Sequence, residues 1–367
     1  MDSTHLWRKH RLRSRYALYI LIAAGTLTAC QPTTERPPTP TLRSRTLVDH
    51  HAHLLSPTLI KDWQAGGASF SRPDSFYTSP APLLAGASSK EHGPDSLLRQ
   101  AVLVPMSHLY GNRAFRQALG LSVEEEYARV RRENDYVAHE ATRFPMRTRA
   151  LCSVDFLRPY AWDEIQRCHD VLHSSGLKIH LASAGADLQT TTHLQELARI
   201  ATWAEDKSLL LLIHLDPQQR GLEVEDVRRF IEVVLQPVPE LYVCIAHLGG
   251  SGGYGPWTQA VFNTFVTWLE EETARGAPRP GVFFDISAVF LEQASEGLPA
   301  TTPAEAAALR RDLRKAGLGR ILFGSDYPVF DPDRYAHVLK REAQLDSAEF
   351  EQVLRNRIPP LKLPDAR

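Results

Sequence analysis

The chain has 367 residues, 43% hydrophobic and 23% charged, with 42 Lys and Arg against 43 Asp and Glu and a net charge of -1. That balance excludes a disordered polymer, 21 Gly and 25 Pro without a period exclude a collagen-like fibre, and the near-neutral charge argues against a nucleic-acid partner. Four cysteines are too few for a disulfide-held scaffold, and the length suits one large domain or two small ones.

The first element reads as a leader. Arg8, Lys9, Arg11, Arg13 and Arg15 face the single acid Asp2, and Tyr16 to Ala29 carry no charge. A basic stretch followed by a short apolar one is the pattern of an export signal; as a helix it rises about 21 Å, short of the roughly 20 residues that span a bilayer. Leu27-Thr28-Ala29-Cys30 resembles the lipobox of bacterial lipoproteins, where the chain is cut before a cysteine that takes a diacylglycerol. An ordinary signal peptide beside a coincidental cysteine is the alternative. The resemblance implies lipidation of Cys30, a membrane partner through that lipid and, with Gln31 next, an outer-membrane location facing the periplasm. The predicted organisation is a signal peptide over 1–29, a Pro/Thr-rich tether over 30–45, a folded body over 46–358 and a tail over 359–367.

From Thr46 onward, apolar runs of strand length alternate with stretches of helical period, which predicts β/α units around a parallel sheet. The runs are Thr46 to His53, Ala101 to Met106, Arg149 to Asp155, Leu177 to Leu181, Leu209 to Leu215, Leu241 to His247, Val282 to Ser287 and Arg320 to Asp326. Helices are predicted at Ser122 to Arg143, where Glu124, Glu125 and Glu126 favour a first turn, and at Asp163 to Ser174, His193 to Asp206, Glu223 to Leu235 and Pro303 to Lys315. Eight strands over about 280 residues predict a (β/α)8 TIM barrel, with a doubly wound sheet as the competitor.

The polar residues decide between them, because they sit at strand ends. In Val48-Asp49-His50-His51-Ala52-His53 a period of two puts Asp49, His51 and His53 on one face. The fifth run stops at His214, the sixth at His247 and the eighth at Asp326. Barrel strands converge at their C-termini on one mouth, so His51, His53, His214 and Asp326, with His247 beside them, form a candidate donor set for a divalent metal. Singly, each has a plainer reading: a buried or capping histidine, or, for Asp326 in Ser-Asp-Tyr-Pro, a turn residue.

Together these motifs resemble the amidohydrolase superfamily. Asp49-x-His51-x-His53, the histidine closing strand 5, His247-Leu-Gly-Gly and Gly324-Ser325-Asp326-Tyr327-Pro328 stand in the family's order, as do Asn134-Asp135-Tyr136, Phe144-Pro145-Met146-Arg147 and Gly176-Leu177-Lys178-Ile179-His180. The nearest branch is the amidohydrolase-related one that includes aminocarboxymuconate-semialdehyde decarboxylase. The resemblance implies one metal, zinc by preference, on His51, His53, His214 and Asp326. It assigns His247 as base or electrostatic stabiliser and Asp326 as proton acceptor. The implied reaction is hydrolysis of an ester, lactone or amide-type bond in a small molecule by an activated water. Decarboxylation on the same site is the alternative chemistry, a silent barrel used for binding or scaffolding the alternative of another class, and a homo-oligomer is left open.

Lys178 and His180 share an inward face. Lys178 reads either as a structural ion pair with Asp49 or Asp285 or, as in other branches of the superfamily, as a carboxylated lysine bridging a second metal. Gly250 to Gly255 matches G-x-G-x-x-G, but the acids about 20 residues on, Glu270, Glu271 and Glu272, lie mid-helix rather than at a strand end, so the glycines read as a flexible loop at the mouth rather than a dinucleotide site. Cys152 and Cys168 are a candidate disulfide. Cys244, counted back from His247, is expected to face the helices. Leu54 to Pro94 is long for a connection and reads as a substrate wall or as disorder.

Overall fold

A closed ring of parallel strands carries the molecule. The computed structural model describes residues 46–70, 74–85, 98–215, 223–294, 299–361 and 363; the leader, Cys30 and the tether lie outside them. Among the described residues the strands are β1 (Thr46–His53), β2 (Leu98–Val104), β3 (Thr148–Ala150), β4 (Cys152–Ser153), β5 (Gly176–His180), β6 (Leu210–His214), β7 (Tyr242–Ile245), β8 (Val282–Asp285) and β9 (Ile321–Leu322). β3 and β4 are halves of one predicted run, interrupted at Leu151, so the nine segments make eight staves. They pair in the orders β1-β2-β3 and β4 through β9. A doubly wound sheet would end in two edges. Here the last stave returns to the first: His50 N donates to Phe323 O (2.9 Å), Asp326 N to His51 O (2.8 Å) and His53 N to Tyr327 O (2.8 Å). The fold is a (β/α)8 barrel.

Alternation along each strand divides the core in two. Ile179, Ile213, Val243, Ile245 and Phe284 pack outward under the helices, while Val102, Val104, Leu210, Leu212, Cys244, Phe283 and Leu322 fill the interior. Cys244 thus faces inward, against expectation. His247 does not follow the alternation of β7; it reaches the mouth because the backbone turns left-handed at His247 (φ 52°) and Leu248 (φ 54°), so counting back from it assigns the wrong face. Ile358 and Leu361 join the interior cluster, so the folded body runs past residue 358 into the expected tail.

The predicted helices appear as Val123–Thr142, Ala161–Asp170, Thr191–Asp206, Val224–Phe230 continued by Ile231–Leu235, and Pro303–Ala316. Val123–Thr142 opens with a capping box between Ser122 and Glu125. Ala161–Asp170 is tied to β4 by a Cys152–Cys168 disulfide. The long stretch after β1 is folded where it is described, as the helices Pro57–Ala65, Ser75–Thr78 and Pro80–Ala85, and Trp63, Phe70 and Tyr77 pack edge to face on one another. The glycine loop before the helix Pro256–Ala274 is closely packed at Gly250, where a Cβ would lie 2.3 Å from Thr258 Oγ1, and open at Gly253, where it would meet nothing within 4 Å.

Candidate metal centre and active site

At the C-terminal mouth the end of β1 meets the end of the last stave. The donor atoms of His51, His53 and Asp326 lie within 4.8 Å of one another. Close approach there depends on Gly324, whose Cβ would stand 3.0 Å from that of His51. Alternation is broken in β1 by a register shift between Asp49 and Ala52. Asp49 turns to the Ser325 and His51 amides and the Ser325 hydroxyl, and burial lifts its carboxyl to about 7. Asp326 is not a helix cap: it has φ 55°, and Asp331 caps the next helix. Burial opposes its ionisation, but the facing His53 and the nearby His247 and His51 hold it well below the usual carboxylate range.

The hydrogen-bond partners fix which nitrogen of each ring is free. His53 Nδ1 lies 3.2 Å from Val104 O, which can only accept, so the proton sits on Nδ1 and Nε2 faces Asp326 Oδ1 at 3.2 Å. A ring lone pair and a carboxylate oxygen at that separation call for a positive charge between them, a proton or a metal cation. His51 Nδ1 donates to Asp285 Oδ2 (3.1 Å), leaving its Nε2 lone pair 3.8 Å from Asp326 Oδ1. His247 Nδ1 donates to Ser287 O (2.8 Å), so its Nε2 is also a lone pair.

Asp285 organises this side. Besides His51 it accepts from His247 N (3.0 Å), Ser287 N (3.1 Å) and the Ser287 hydroxyl. Burial alone would raise its carboxyl; His51, His247 and Ser287 outweigh that and keep it ionised. His51, His247 and Asp285 also cluster within 4.8 Å, but the Asp285 oxygens are occupied by these donors, so the cluster orients rings rather than offering a second cation site.

Lys178 points inward as predicted, yet its hydrogen-bond partner is neither Asp49 nor Asp285. Its Nζ lies 3.1 Å from His51 Nε2, and burial pulls its pKa down to about 8 against the opposing pull of Asp285 and Asp326. His51 Nε2 serves one partner at a time, this amine or a cation. His180 stacks on His214 with centroids 4.1 Å apart, and its Nδ1 accepts from Ser183 N (3.3 Å). Its proton therefore sits on Nε2, which excludes that nitrogen as a ligand for a second metal.

His214 does not join the His51, His53 and Asp326 set. Its ring lies 4.7 Å from that of His247, and its buried Nε2 has no hydrogen-bond partner among the described residues. Burial, reinforced by neighbouring His180 and His247, keeps it neutral. A buried ring nitrogen without a partner calls for one, and a bound cation is one that fits.

His108 was not foreseen. It lies in a short turn, Ser107–Gly111, just past β2, is buried, and its ring stands 5.1 Å from that of His180. His214 ends its strand and His247 follows β7 by two residues, whereas His108 stands four residues past β2, so a search of strand ends misses it. With it the mouth holds six rings in sequence, His108, His180, His214, His247, His51 and His53, at centroid spacings of 4.1 to 5.1 Å.

Known structures share this architecture. The 5-carboxyvanillate decarboxylase of Sphingomonas paucimobilis aligns over 88% of this chain and 100% of its own, at 15% identity and TM-score 0.57. The 2,6-dihydroxybenzoate decarboxylase from Rhizobium aligns over 87% and 99%, at 16% and 0.56, and an uncharacterized TIM-barrel protein from Bordetella bronchiseptica over 86% and 98%, at 15% and 0.52. At such identities the likeness is one of fold. No curated protein matches the chain. The family model described as Amidohydrolase matches residues 48–358, from within β1 to beyond the last stave, and the chain belongs to that family.

Proposed function

We propose that this protein is a metal-dependent hydrolase acting on an ester, lactone or amide-type bond of a small molecule. The carrying observation is the convergence of His51 and His53 lone pairs on the Asp326 carboxylate, with the unpartnered His214 Nε2 and the His247 Nε2 lone pair nearby. Three imidazoles and one carboxylate suit zinc. A divalent cation held by His51, His53, His214 and Asp326 supplies Lewis acidity, polarising a carbonyl and lowering the pKa of water towards roughly 7. His247 is the base of this reading: Ser287 O holds its Nδ1 proton, so Nε2 accepts a proton from the attacking water and returns it to the leaving group. Asp326 is held ionised by its neighbours, which suits a ligand better than a base. Asp285 keeps the His51 and His247 segments in register. The convergence of His51, His53 and Asp326 argues against a silent barrel.

Decarboxylation is the second reading, suggested by the two decarboxylases of like fold. One experiment tests both. Metal content is measured in wild type, His53→Ala and Asp326→Asn, and wild type is assayed on lactones, esters and aromatic acids for acid release and for CO2. Metal in wild type that is lost in both variants, with acid release, supports the hydrolase; equal metal in all three removes the site, and CO2 alone removes hydrolysis.

We also propose export and anchoring through a lipid on Cys30. The Cys152–Cys168 disulfide supports passage through an oxidising compartment. Release of Cys30→Ala from the membrane fraction is the expected result, and retention would count against the anchor.

A further inference from the structure

His108 and His180 have no task in that reaction, and their hydrogen bonding differs from that of His51, His53 and His247. Ser153 is fully buried, and His108 Nδ1, at 2.6 Å, is the hydrogen-bond partner of its hydroxyl oxygen. A serine hydroxyl can donate to this nitrogen or accept from it. With Ser153 donating to Nδ1, the proton of His108 sits on Nε2, which is buried and without a partner among the described residues. His180 has its proton on Nε2 for the parallel reason that Ser183 N donates to its Nδ1. Two adjacent rings thus carry donors where His51, His53 and His247 carry lone pairs. In that tautomer neither can ligate a cation through Nε2.

We propose that His108 and His180 form a carboxylate-binding subsite, giving their Nε2–H groups to a carboxylate of the substrate that lies across the mouth from the bond to be cleaved. A buried donor left unmade is costly. A carboxylate is acceptor-only and has lone pairs enough for both rings. His180 stacks on His214 and His214 neighbours His247, so a molecule of a few carbons spans from the subsite to the metal-side residues. The substrate class is a small carboxylic acid carrying a second, hydrolysable group. This rests on the hydrolase reading for the bond cleaved, but not for the subsite.

Benzoate is the probe, with benzylamine as the charge-reversed control of similar size. Both are titrated calorimetrically into wild type, His108→Phe and His108→Gln, with metal content measured in each. Wild type is expected to bind benzoate and not benzylamine. His108→Phe should lose about tenfold or more in benzoate affinity with metal content unchanged, and His108→Gln, whose amide restores an N–H, should recover part of it. Benzoate affinity within about twofold of wild type in His108→Phe, no saturable benzoate binding in wild type, or metal lost together with affinity would each overturn the subsite. If wild type holds no metal but benzoate binding still depends on His108, the subsite stands and the metal reading falls. In protein labelled with 15N-histidine, His108 and His180 should both appear as Nε2–H tautomers; Nδ1–H at His108 overturns the proposal without any variant.

Discussion

His51, His53 and His247 turn their Nδ1 protons to one carboxylate and two carbonyls, whereas Nδ1 of His180 takes an amide proton and Nδ1 of His108 meets the Ser153 hydroxyl. The two groups share one mouth, and burial lowers the pKa of His51, His108 and His180 alike. Their chemistry nevertheless divides into lone pairs on one arc and donors on the other. Side-chain identity does not set the role of a buried histidine; the partner behind it does.

If the arcs are separately built, each should be damaged without the other. The largest effect is expected at the disulfide, which anchors β4 immediately before Ser153. Closing a loop of sequence separation 16 is worth about 3 kcal/mol. Cys152→Ala/Cys168→Ala should therefore unfold at lower urea by about that amount and bind benzoate more weakly as Ser153 loosens, while metal content in the folded protein holds. Equal losses of metal and benzoate would make the mouth a single unit. Next is Asp285→Asn. The amide preserves shape but no longer compels a proton onto His51 Nδ1, so metal affinity should fall about 10–100-fold with benzoate affinity retained. Unchanged metal affinity in a competitive chelator titration would remove Asp285 from its orienting role.

Much of the metal arc was legible in the sequence, because its residues stand at strand ends: His51 and His53 close β1, and Asp326 follows a run whose Gly324 permits close approach. Of the donor arc only His180 was legible, as an inward residue of its strand; His108 lies past its strand in a short turn and Ser153 is a small residue inside one. Asp285 was visible only as a partner for Lys178, although its main bonds go to His51, His247 and Ser287. Cys244 was assigned the wrong face because a left-handed backbone at His247 is a tertiary feature that periodicity cannot carry. Asn134 was visible as part of a motif, but its role comes from contacts distant in sequence. Its side chain holds both Ser153 N and Ser153 O at 3.0 Å and reaches Glu164 at 2.7 Å.

Asn134 and its neighbour Glu133 join the two arcs through one helix. While Asn134 holds Ser153 on the donor side, Glu133 accepts from Ser56 N (3.0 Å), three residues beyond His53 on the metal side. Burial raises the Glu133 carboxyl from 4.5 to about 7, against the opposing hydrogen bond from Ser56. The folded state therefore binds more protons than the unfolded state between those values, and stability falls as pH rises through that window. Asp49 and Asp155, raised likewise, add slopes of the same sign, so a single profile does not isolate Glu133. The difference between wild type and Glu133→Gln does, because the amide keeps an acceptor for Ser56 N and has no proton to lose. Between pH 5 and pH 8 wild type should lose about 2–3 kcal/mol more than the variant in urea unfolding. Parallel profiles would mean that Glu133 is ionised throughout and that the helix holds the metal side by a charged contact.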